Sequence, residues 1–66
     1  MSATVPLDQL TARVRAEFRE MPGLRLTIPQ VQRLCGLEPK VCSQVIDVLV
    51  ERAILGRRGP IFFLNE

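Results

Sequence analysis

Histidine, tryptophan and tyrosine are absent from the chain. Without histidine it lacks the side chain that most often acts as general base near neutral pH and most often ligates transition metals. No nucleophile and base pairing, cofactor motif or metal-ligand spacing stands in its place, so the expectation is a protein that is not an enzyme and takes no cofactor and no metal, with no small-molecule site evident. Cysteine is sparse, with Cys35 and Cys42 the two present. With no histidine to complete a ligand set and no secretory leader in the opening residues, they read as free thiols in a reducing cytoplasm. A Cys35 to Cys42 bridge across a turn is the minor alternative. Long apolar runs are missing as well. The longest, Val45 to Leu55, is interrupted by charges and falls short of the roughly 18 residues that a membrane span needs, so a soluble protein with no membrane partner is expected.

What is present fits one small globular domain: 66 residues, 47% hydrophobic, 24% charged, net charge +2. A chain of this length buries only about 60% of the surface its unfolded form exposes, so self-association or a partner would add stability. Apolar residues at Leu7, Leu10, Val14, Phe18 and Met21 fall at steps of three and four and predict an amphipathic helix over about 6–21, stopped by Pro22-Gly23. Its outer face, with Asp8, Arg13, Arg15, Glu17, Arg19 and Glu20, reads as solvated. Leu24-Arg25-Leu26 alternates and predicts a brief strand over 24–26. Thr27 is a good N-cap for a second helix over about 28–35 that buries Ile28, Val31 and Leu34 or Cys35 and ends at Gly36, with Leu37 plugging the turn. Pro39 suits a first helical position and opens a third helix over about 39–52. Ile54-Leu55-Gly56 and Pro60 to Leu64 are two β-rich runs around Arg57-Arg58-Gly59, a hairpin over 54–64 with a basic tip.

The order helix, short strand, helix, tight glycine turn, helix, hairpin resembles the winged helix-turn-helix domain of bacterial regulators over Leu7 to Leu64. The resemblance is carried by Leu26-Thr27-Ile28-Pro29-Gln30-Val31-Gln32-Arg33-Leu34-Cys35-Gly36-Leu37, followed by Cys42, Ile46, Leu49 and Ile54-Leu55. It implies an α+β, mainly α, fold: a winged helix of three helices with a short strand after the first and a C-terminal β-hairpin wing. It also implies binding to double-stranded DNA in transcription regulation, with the third helix in the major groove. Lys40, Ser43, Gln44 and Asp47 would then face bases or phosphates, with Gln44 suited to adenine. Arg57 and Arg58 on the wing would meet phosphates or the minor groove, and Arg33 and Arg25 would add backbone contacts. Two positions depart from the family pattern. Gln32 stands where a small alanine is usual, at the approach of helices two and three. Ala53 stands where glycine is usual, and a positive φ there would cost alanine roughly 1 kcal/mol.

The same polar residues also fit a plainer reading, as ordinary exposed helix positions and a soluble turn. Net charge +2 is low for a DNA-binding domain, and Glu38, Asp47 and Glu51 lie along the helix that should approach phosphates. The third helix carries two apolar stripes, Cys42, Ile46, Leu49 and Ala53 on one, Val41, Val45 and Val48 on the other. Strand alternation turns Ile61 and Phe63 outward if Phe62 and Leu64 point in. Val41, Val45, Val48, Ile61 and Phe63 are therefore candidates for an interface, unless a thin domain buries part of both stripes, Val45 especially. Two readings follow: a DNA-binding regulator acting as a homodimer, and a protein-interaction or dimerisation module that uses the same fold through its apolar face without DNA.

Overall fold

The computed structural model describes residues 6–21 and 23–65. Its elements run α1 (Leu7–Glu20), β1 (Arg25–Leu26), α2 (Ile28–Cys35), α3 (Pro39–Glu51), β2 (Leu55–Arg58) and β3 (Ile61–Leu64). The three strands form one antiparallel sheet in the order β1-β3-β2. This is the expected α+β layout, mainly helical, with the brief strand after the first helix pairing the hairpin. Among the described residues no helix is long and apolar enough to cross a membrane.

Each helix begins and ends for a local reason. The first turn of α1 closes on the Pro6 carbonyl, which accepts from the Gln9 and Leu10 amides. Within it Thr11 is buried, and its hydroxyl donates to the Leu7 carbonyl at 2.7 Å, so no polar group is stranded there. Helix α2 opens with a capping box: Thr27 Oγ1 accepts from the Gln30 amide while Gln30 Oε1 accepts from the Thr27 amide at 2.8 Å. It closes at Gly36, whose φ of 65° is left-handed, and the Leu37 amide donates back to the Gln32 carbonyl at 3.1 Å. Pro39 occupies the first turn of α3.

The core joins all three helices to the hairpin. Val14 and Phe18 of α1, Val31 and Cys35 of α2, Cys42, Val45, Ile46 and Leu49 of α3, Leu55 of β2 and Phe62 of β3 are buried in one cluster. Leu10, Leu26, Ile28, Leu37, Val41 and Leu64 pack around its margin. Several expected positions shift. Leu7 and Met21 are exposed, because Leu7 starts α1 and Met21 lies beyond its end; Pro22, part of the expected stop, lies outside the described residues. In α2 it is Cys35 that is buried, while Leu34 points to solvent at 48% exposure.

Val45 has no exposed surface, so it belongs to the core and not to an interface. Its stripe sits one position from Ile46, and α3 is covered on both by α1, α2 and β2. The wing also differs from its expected form. Arg57 and Arg58 are the last two residues of β2, and the connection is the pair Gly59-Pro60. Gly59 has φ of 60° and the Pro60 ring holds φ near about −65°, the sign pattern of a type II′ hairpin turn.

The end of α3 repeats the α2 closure with a different residue. Ala53 has φ of 60°, its amide donates to the Val50 carbonyl at 3.0 Å, and the Ile54 amide donates to the Leu49 carbonyl at 2.9 Å. This is the Schellman arrangement, with alanine where a side chain is disfavoured. Asn65 holds the turn from outside: its amide donates to the Ile54 carbonyl at 2.9 Å and its Nδ2 to the Ala53 carbonyl at 3.4 Å. Relief of the left-handed penalty, less the added freedom glycine gives the unfolded chain, should make Ala53→Gly more stable by about 0.5–1 kcal/mol. Urea unfolding of the two chains measures this, and an unchanged or lower midpoint would contradict it.

Candidate functional site

The outward side of α3 is polar because its other sides are committed to the core. Lys40, Gln44, Asp47 and Glu51 recur at steps of four, three and four and are exposed, with Ser43 half-buried beside them. The row is basic and neutral in its first two turns and acidic in its last two. Lys40, Ser43 and Gln44 are thus brought onto one accessible strip. Arg33 is exposed on the last turn of α2.

The strand alternation separates the two wing arginines. Arg57 shares the inward side of the sheet with Phe62, its cross-strand partner, but lies at the open end beyond the core. There its guanidinium sits 5.9 Å from the Phe62 ring centroid and its Nε donates to the Gly59 carbonyl at 2.9 Å. The ring and the turn carbonyl fix the direction of the side chain and leave the terminal nitrogens of the fork as donors. Arg57 lines a groove of about 300 Å³ together with Thr27, Ile28, Pro29, Asp47, Pro60 and Phe62. That groove joins the start of α2, the middle of α3 and the wing.

Arg58 faces the other way. With Arg25, Ile61 and Phe63 it lines a second groove of about 330 Å³ on the outer face of the sheet. Phe63 pairs with Gly56, and a Cβ built at Gly56 would lie 2.5 Å from Cε1 and Cζ of its ring. A side chain at 56 would push the ring aside, since the ring lies over the β2 backbone where glycine leaves space. Of the apolar interface candidates, Ile61 and Phe63 stand together on this face, Val48 is half-buried on α3, and Val41 packs on the core margin. Sequence reasoning treated Arg57 and Arg58 as one basic tip. The turn chemistry of Gly59-Pro60, read as a two-residue loop, would have placed both arginines in a strand and so on opposite faces.

The cysteines are free and buried. The Cys42 thiol donates to the Ile28 carbonyl at 3.8 Å, tying the third helix to the start of the second. Burial pushes both thiols up from their ordinary value. Glu17 raises Cys35 further against a smaller lowering by Arg13, and Cys35 adds to the rise at Cys42. A raised thiol is poorly nucleophilic at neutral pH, which suits a packing role. Among the described residues no group of three or more cysteine, aspartate or glutamate side chains is placed to hold a metal ion. No family model, curated protein or solved structure matches the chain.

The thiol shifts carry a sign for stability. A thiol with a raised folded pKa binds its proton more tightly in the native state, so its contribution is complete below the unfolded value, about 8.5, and is lost as pH rises toward the folded value. Urea midpoints should hold from neutral pH to about 8 and then fall, and the fall should be much smaller in the Cys35→Ala/Cys42→Ala chain. An equal fall in both would remove the thiols as its cause.

Proposed function

We propose that the chain is a DNA-binding transcriptional regulator of winged helix-turn-helix type that acts as a homodimer. The observation that carries this reading is an accessible polar row on α3, Lys40, Gln44, Asp47 and Glu51, whose Asp47 lines one groove with a pre-oriented arginine of the wing. A helix buried on its other sides is a rigid element for insertion into a major groove, which is about 12 Å wide. Lys40 would meet a phosphate, Ser43 and Gln44 base edges, and Arg57 the flanking backbone or minor groove. Asp47 would accept from a cytosine amino group or exclude other bases at its position. Arg33 would add a backbone contact. Arg58 faces away from this groove and has no part in it.

A net charge of +2 makes one copy a weak ligand for a polyanion, and two copies on adjacent half-sites double the number of phosphate contacts. The competing reading, a module that docks protein through an apolar α3 and wing face, loses most of its helix half here. Val45 is in the core and Val41 packs on its margin.

Fluorescence anisotropy on a labelled mixed-sequence duplex, titrated from about 20 to 200 mM salt, tests the proposal. Affinity should fall linearly on a log-log plot, and binding should steepen with protein concentration. Lys40→Glu and Arg57→Glu should each weaken binding on all sequences and lower the salt slope by about 2, one contact from each protomer, whereas Gln44→Ala should change sequence preference. No binding at the lowest salt, or a slope indifferent to Lys40 and Arg57, would overturn it.

A further inference from the structure

We propose that the outer face of the three-stranded sheet docks a short segment of a partner protein in which carboxylates flank an apolar side chain. The face is built as a charged frame around an apolar floor. Arg25 on β1 and Arg58 on β2 lie at its two sides, and Ile61 and Phe63 of the central strand β3 lie between them. The registers make this layout obligatory: Arg25 pairs with Phe63 and Arg58 with Ile61, so all four side chains emerge on the same face. Gly56 opposite Phe63 leaves room for the ring to lie flat on β2, and the groove of about 330 Å³ forms beside it. That volume is at the lower end for a binding pocket and holds one or two side chains.

Charge decides what fits. Among the described residues no carboxylate lines the groove, and no hydrogen bond or ion pair engages the Arg25 or Arg58 guanidinium. Both forks are therefore available for bidentate pairing with carboxylates, the geometry arginine serves best. A second copy of this chain would bring arginines toward arginines around a two-fold axis with no acid between them, which disfavours self-pairing through this face. Single-stranded nucleic acid would satisfy the arginines, but strands of this kind are held on several aromatic platforms in series. This face has one, since Phe62 is turned into the core. An aliphatic residue against Ile61 and Phe63, with acidic neighbours reaching Arg25 and Arg58, uses every group present.

The test is a titration of the isotope-labelled full chain, followed by its amide resonances. The probes are a short peptide alternating glutamate and leucine, its lysine and leucine counterpart, and a short oligothymidine. The acidic peptide should produce saturable shifts centred on Arg25, Gly56, Arg58, Ile61 and Phe63, and the basic peptide should not. Arg25→Glu/Arg58→Glu should weaken the acidic peptide at least about tenfold, as expected for loss of two exposed charge contacts. Where that chain loses its amide dispersion, Arg25→Gln/Arg58→Gln replaces it, with the same expectation of weaker binding. Equal binding of the two peptides, shifts centred on α3, no saturation at millimolar acidic peptide, or shifts of these residues by the oligothymidine alone would each overturn the proposal. None of these variants touches Lys40, Gln44 or Arg57, so failure here is distinct from failure of the DNA reading.

Discussion

Helix α3 is held in the middle of the molecule by four residues, Cys42, Val45, Ile46 and Leu49, none of which retains solvent-accessible surface. Their spacing spans an arc wider than a single stripe, and every other element except β1 adds a buried residue to the same cluster. Val14 and Phe18 come from α1, Val31 and Cys35 from α2, Leu55 from β2 and Phe62 from β3. In a chain of 66 residues this leaves little apolar surface for a second core. The position of the outward row of α3 follows directly. Once the buried arc is fixed, Lys40, Gln44, Asp47 and Glu51 are left facing outward with Ser43 beside them, and an accessible polar helix side beside a wing is a consequence of packing before it is a property of function.

Much of the layout could be read from residue order because its punctuation is local. Thr27 before an apolar-periodic segment, Gly36 after it and Pro39 at the next start each act within a turn of their own position, and the helices they bound are those observed. The sequence left the burial of Val45 open between an interface and a thin domain that buries part of both stripes, and the second holds, since the second stripe of α3 is covered by elements distant in sequence. The Leu34 and Cys35 choice failed to resolve for the same reason: adjacent positions on a short helix differ by one step of rotation, and only the location of α1 and α3 decides between them. At the wing, two residues of uncertainty in the turn were enough to merge Arg57 and Arg58, which alternation sets on opposite faces.

The two faces of the sheet consequently have different electrostatic partners. On the inner side Arg57 is joined by Asp47 of α3, so that groove carries both signs and its arginine is steered by a ring and a carbonyl. On the outer side Arg25 and Arg58 surround carbon surface, and among the described residues no acid lines that groove. A mixed, pre-oriented groove suits discrimination among similar ligands, whereas an unopposed pair of cations suits capture of negative charge. A small wing can thus present two unlike surfaces, because a strand of four residues places consecutive side chains on opposite sides.

The pairing of β1 with β3 joins residues 25 and 26 to residues 62 and 63. A chain made from its N-terminus onward can form α1, α2 and α3 and close both helix turns while the sheet is still missing its central strand. During that interval the three-helix assembly lacks Phe62, and β1 is a two-residue segment with nothing to pair. Arrival of β3 then completes the core and both strand pairings in one step, so closure of the fold waits on the strand that follows the other five elements in chain order.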